Sequence, residues 1–290
     1  MLYLQLALVL LSFAANSLLT RWALDIHQFD PALFTFIRLF SGALMLSVLL
    51  KVFLQSDQQR FSVRNATSDV RFWILGSGLL IYALGFSWAY LRLDTGVGAF
   101  ILFASVQISM LVMAFYQGNR LNYWQWIGIV VSLAGLAWLL LPQANAPDPI
   151  SAIFMFVAAL GWAGFVAMGK ASRNPLADVH QAFVAAAIMM VVLLPFFFDE
   201  WLHWNWLPWL LAVLSGALAS GLGYFLWYRI LPELGLSKAA QFQLLVPVLA
   251  MLMGLFILGE SLSVSALAAM VVIIIGVTLS VVSAQQVKQR

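Results

Sequence analysis

Two apolar runs joined by three polar residues restrict this chain more than any other feature. Residues 236–258 and 264–283 flank the hinge Gly259-Glu260-Ser261, and the second run carries no charge. At about 1.5 Å rise per residue, a run of roughly twenty residues matches the ~30 Å hydrocarbon core of a bilayer. So short a connection makes the two helices antiparallel neighbours. The local reading is a transmembrane helical hairpin.

Composition extends that reading to the whole chain. Of 290 residues, 64% are hydrophobic and only 9% charged, with a mean hydropathy of +0.99. A soluble domain needs about a quarter charged residues to cover its surface, so lipid must solvate most of these side chains. No basic cluster exceeds a few residues, which argues against a nucleic-acid partner. There is no cysteine, which excludes disulfides, thiol catalysis and cysteine metal sites. His27, His180 and His203 are far apart and near run ends, which argues against a metal cage.

Taken in order, the apolar runs are 2–24, 33–50, 72–91, 97–117 and 123–141, then 150–169, 177–198, 207–228 and the two of the hairpin. The first lacks a basic n-region and is longer than a signal peptide's apolar core, so a retained helix is expected. Between the fifth and sixth lies PQANAPDP at 142–149, with three prolines that no helix interior accepts. Residues 1–142 and 150–290 therefore read as two five-helix units with a linker at 143–149. Trp201, Trp204, Trp206 and Trp209 bracket the seventh-to-eighth connection as an interfacial aromatic belt does. With a cytoplasmic N-terminus, eleven of the 14 Lys and Arg residues fall on inward loops and the tail, two (Arg21 and Arg92) fall outward, and Arg38 lies within a helix. That asymmetry obeys the positive-inside rule and puts both termini in the cytoplasm.

The fourth and fifth runs align with the ninth and tenth at an offset of 141, pairing Gly118 with Gly259 and Gly135 with Gly276. An odd number of helices per unit makes the second copy enter the membrane from the opposite side. The expected fold is thus an all-α integral membrane protein, ten transmembrane helices in two inverted five-helix repeats. Inverted repeats let two half-bundles rock between outward- and inward-open states.

At the ninth and tenth helices a mid-helix proline, then LGESLS at 258–263, then Gly276 resembles the EamA-type family of the drug/metabolite transporter superfamily. Arg38, in a second helix reading PALFTFIRLFSGALML from Pro31, fits the same pattern, and the resemblance covers the whole chain. It implies a bacterial inner-membrane carrier, in a family with many exporters of amino acids and other small metabolites. Asn119 and Val106 depart from it, standing where the family usually has an acidic residue and a proline.

Several residues could carry transport. Arg38 is a costly charge less than two turns inside the outer end of its helix. It can contact an anion, pair with Glu260 as a gate, or serve structurally by ion pairing or snorkelling. Glu260 beside a helix start also fits a capping role. Pro247 removes a backbone hydrogen bond and frees a carbonyl near Gln243, which gives a kink beside a cavity or one made for packing. Asn16, Tyr82, Gln107, Trp162, Tyr224 and Gln243 lie at similar depth on six helices. They read either as interhelical glue or as the lining of a substrate cavity. Gly76, Gly78, Gly85, Gly161, Gly164, Gly216, Ser220, Gly221 and Gly223 read as close-packing positions.

The function these features favour is alternating-access transport of a small, partly apolar metabolite such as an amino acid or related compound, and the resemblance implies export. No phosphate-binding loop is present, so no nucleotide cofactor is expected to drive it. The expected partners are a small-molecule substrate and the bilayer, with the chain a monomer or homodimer. A passive channel or scaffold would need polar pore rings, and an intramembrane lipid-modifying enzyme a catalytic cluster. Neither pattern is visible in the sequence.

Overall fold

In a membrane, each helix must satisfy its own backbone, and its ends are where polar side chains are needed. The starts of the helices follow that requirement. Asp30 accepts the Leu33 N–H (2.7 Å), Asp69 that of Arg71 (2.9 Å), Asp148 that of Ser151 (2.8 Å), and Asn205 that of Leu207 (3.0 Å). At Asp30-Pro31, Asp148-Pro149 and Asn174-Pro175 the cap precedes a proline in the first helical position, where a missing N–H costs nothing. Asn122 and Gln125 form a reciprocal capping box, each side-chain oxygen accepting the other's backbone N–H at 2.8 and 2.7 Å.

The computed structural model describes residues 2–53, 67, 69–93, 95–116, 118, 121–140, 148–170, 174–197, 205–258 and 264–288. The helices are α1 (Leu2–Ile26, its last turn π-helical), α2 (Pro31–Phe53), α3 (Val70–Ala89), α4 (Thr95–Tyr116) and α5 (Tyr123–Leu140). They continue with α6 (Pro149–Lys170), α7 (Pro175–Phe197), α8 (Trp206–Leu234), α9 (Leu236–Gln243 and Val246–Met253, running on through a π turn to Leu258) and α10 (Val264–Lys288). Seven of them, α1–α3 and α6–α9, are long and apolar enough to cross a membrane. In α4, α5 and α10 the apolar stretches are shorter: Ile101–Met110, Tyr123–Trp138 and Leu267–Ser283. The chain is a multi-pass membrane protein, and among the described residues helix is the only regular structure.

Two helices add detail to the sequence reading. The eighth run was expected to end at Tyr228, yet α8 continues to Leu234 through Pro232. Pro232 falls in the last turn, and Gly235 stops the helix with a φ of +76° that only glycine adopts readily. In the ninth, where a proline kink is expected, the chain breaks at Leu244–Leu245, just ahead of Pro247, and backbone bonds there tighten to i→i+3 (Leu244 N–H to Gln241 O, 3.1 Å; Leu245 N–H to Phe242 O, 3.0 Å). Pro247 then opens the second half-helix, so its missing N–H falls in a first turn.

The main buried core draws on all ten helices, α5 giving it only Leu136, and α2 packs against α3, α7 and α8. The α5 and α10 helices pack chiefly on each other at the margin. They approach so closely that a Cβ on Gly276 would meet Ser132 N and Gly128 O at 2.6 and 2.7 Å. Side chains tie the same pair: Ser280 Oγ donates to Gln125 O (3.1 Å) and Asn122 Nδ2 to Ser283 O (3.0 Å).

Candidate functional site

The site grows from the α2–α8 crossing. The middle of α8, Ser215–Leu222, is π-helical, and Gly216 there lies so close to α2 that an added Cβ would overlap Ser41 Oγ and the Arg38 carbonyl. Widened turns of this kind are frequent at functional sites. This one brings Ser220 within hydrogen-bonding range of Arg38, whose Nε donates to Ser220 Oγ at 3.1 Å. Arg38 Nη2 donates to the Tyr82 hydroxyl at 3.2 Å, and the guanidinium lies 5.2 Å from the Tyr82 ring centre and 5.5 Å from that of Phe86. Tyr224 lies within electrostatic reach of both Arg38 and Tyr82.

Arg38 is 1% exposed, which corrects the snorkelling alternative. Its stem is enclosed by helices and its head is held by partners at its own depth, so it does not run to the interface. Among the described residues no carboxylate pairs with it, and its Nη1 has no hydrogen-bond partner. Glu260, the other half of the expected gate pair, lies outside the described residues.

Beside Arg38 is a cavity of about 20 Å³, lined by Phe13, Asn16, Ser17, Tyr82, Phe86, Leu102, Phe103, Trp162, Tyr224 and Gln243. It has room for roughly one water, so a solute could enter only if the helices part. The structure thus gathers Asn16, Tyr82, Trp162, Tyr224 and Gln243 around one space. Trp162 Nε1 donates to Gln243 Oε1 (2.9 Å), and Asn16 Oδ1 accepts from Ser215 Oγ (2.6 Å). Phe13 meets Trp162 and Tyr224 edge-on at 5.6 and 5.7 Å, while Tyr82 and Tyr224 flank Trp162 at 5.3 and 4.9 Å. Gln107 stands apart from the lining. It is 1% exposed, one turn beyond Phe103 on α4, and both ends of its amide are unpartnered.

Sequence reasoning missed Phe13, Phe86 and Ser220. Phe13 shares a helix face with Asn16, a usable signal, while Ser220 was read as a packing position. Gly164 was read the same way, yet nothing lies within 4 Å of a Cβ built on it. It borders a hollow of about 460 Å³ on the outer side of α3 and α6, whose walls (Ile74, Ile81, Leu160, Phe165 and Met168 among them) are apolar. At its two ends α3 carries ion pairs, one a short bridge from Arg71 to Asp178 on α7, the other from Arg92 just past α3 to Asp148 at 3.8 Å.

A family model, that of the EamA-like transporter family, matches residues 1–141 and 149–282. An uncharacterized protein of Pseudomonas aeruginosa is 41% identical over 256 residues, covering 88% of this chain and 86% of that one. An uncharacterized transporter of Bacillus subtilis is 25% identical over 271 residues, 87% of each chain. A solved crystal structure shares the fold with a TM-score of 0.75 over 97% of each chain, at 17% identity.

Proposed function

Because the chain belongs to the EamA-like transporter family, we propose that it is a secondary carrier of the bacterial inner membrane. It exports a small, partly apolar metabolite, an amino acid or related compound, by alternating access. Two inverted five-helix repeats, ten transmembrane helices in all, would form the two rocking halves, with both termini cytoplasmic and the carrier a monomer or homodimer.

The observation that carries this reading is the meeting of Tyr82, Trp162, Tyr224 and Gln243, from both halves of the chain, around a buried space, with Arg38 bonded to the Tyr82 of its wall. Polar groups held at the centre of a membrane bundle are costly and mark substrate paths. The space is nearly closed, as an occluded state is, and the ion pairs at the two ends of α3 join the halves. Rocking can break one while keeping the other. Arg38 contacts the solute, Glu260 acts at the hinge between α9 and α10, and Pro247 at the break within α9.

Uptake into proteoliposomes, screened over amino acids and their metabolic relatives, tests the function. Stimulation by the same solute on the far side is the expected mark of a carrier, and flux without it would favour a channel. Cysteines at position 145 and at position 290, placed in this cysteine-free chain, test the inverted repeat. Labelling of both from one side would refute it.

A further inference from the structure

We infer that the central site selects a net-negative organic solute, a monocarboxylate with a compact apolar or aromatic body, over zwitterions, cations and neutral analogues. The inference rests on the carrier reading and, within its class of amino acids and related compounds, shifts the choice from the zwitterionic amino acids to carboxylates without the amine. It starts from Arg38, a permanent charge 1% exposed. A guanidinium has five N–H donors, and here one bonds Ser220 and one Tyr82, while Nη1 has no partner. The rings of Tyr82 and Phe86 and the neutral hydroxyls around it carry no countercharge, and a buried charge without a counterion is strongly unfavourable, so an anion is the missing counterpart.

The protein does not supply that anion from its described residues. Asp25, Asp30, Asp69, Asp148, Asp178 and Glu233 all lie at or near helix ends. Asp25, Asp148 and Asp178 have arginines of their own, Arg21, Arg92 and Arg71. A carboxylate matches the fork of Nη1 and Nη2 with two parallel bonds, geometry a halide cannot use.

The remaining lining sets the body of the ligand. Phe13, Phe86, Phe103, Trp162 and Tyr224 present ring surface, suited to an apolar or aromatic group. A second cation in this chamber would be repelled by Arg38, which stands behind the Tyr82 of its wall. The two amide oxygens on the lining each already accept one bond, Asn16 Oδ1 from Ser215 and Gln243 Oε1 from Trp162, so an ammonium would compete for them. An α-ammonium is thus rewarded less here, beside Arg38, than a lone carboxylate is.

The test uses the full chain in nanodiscs at constant ionic strength and four probes sharing one ring: phenylacetate, phenylalanine, phenethylamine and 2-phenylethanol. Calorimetric titration should rank phenylacetate first, about tenfold or more ahead of the amine and the alcohol, as expected for a charge-assisted hydrogen bond. Phenylalanine should fall between. Arg38→Gln should erase the ranking, and if that variant does not fold, the wild-type ranking still decides. Equal or tighter binding of the amine, the alcohol or phenylalanine overturns the inference. So does no binding of phenylacetate, or displacement of phenylacetate by chloride at equal concentration. Trans-stimulated flux of phenylalanine but not phenylacetate would sink the anion inference and leave the carrier standing. Phenylacetate binding without any flux would do the reverse.

Discussion

Replacing Gly276 by alanine should pry apart the α5–α10 pair. The added Cβ would stand 2.5 Å from Ser132 Oγ, 2.6 Å from Ser132 N and 2.7 Å from Gly128 O. The hydroxyl can rotate aside, but the backbone atoms cannot. Restoring ordinary contact demands that the helices separate by roughly an ångström. Overpacking of this kind costs about 1–3 kcal/mol. The separation also stretches the Ser280–Gln125 and Asn122–Ser283 bonds, each worth about 0.5–1.5 kcal/mol. A total near 2–4 kcal/mol should appear as a lower midpoint in an SDS unfolding titration followed by circular dichroism. Gly164→Ala is the matched control, since its Cβ meets nothing within 4 Å, and it should leave the midpoint unchanged or raise it. Equal midpoints for Gly276→Ala and the wild type would refute the contact argument.

Gln243→Leu leaves the buried Trp162 indole N–H without its acceptor and should cost about 1–3 kcal/mol in the same titration. Combined with Trp162→Phe, the two losses should be clearly less than additive, and full additivity would mean that the pair does not interact. Ser220→Ala removes the acceptor of Arg38 Nε and should weaken phenylacetate binding several-fold while phenylalanine and 2-phenylethanol change little; a uniform loss across probes would point to misfolding instead. Asp148, outside the membrane-spanning part of α6, is held below the usual carboxylate range first by the Ser151 backbone N–H, then by the Ser151 side chain and the charge of Arg92. A depressed folded pKa stabilises above the unfolded value near ~3.9 and is lost as pH falls through the folded one. Asp148→Asn keeps a cap but not the titration, so its melting temperature should fall less than the wild type's on acidification below about pH 4. Parallel curves would dismiss this contribution.

The positions of the helices were legible from local sequence. Apolar runs of bilayer length, Asp30-Pro31 ahead of α2 and the prolines of 142–149 act on their own neighbours in the chain, so no tertiary information was needed to place them. The depth of Asn16, Tyr82, Trp162, Tyr224 and Gln243 was legible for the same reason, since depth is residue count along a helix. Which of them meet was not. Gln107 shares that depth, yet the rotation of α4 keeps it off the cavity lining.

The sequence by itself determined that lipid is the solvent of this chain, where each helix starts, and that one arginine is carried into the bundle. Tertiary structure alone decided what that arginine faces. A π-helical stretch in α8 and a glycine flush against α2 bring Ser220 to Arg38, while α3 brings Tyr82 from the other side. These pairings span 182 and 44 residues. They depend on how each helix is turned about its axis, and on that point a nearly all-apolar segment is silent, because every one of its faces suits lipid equally well.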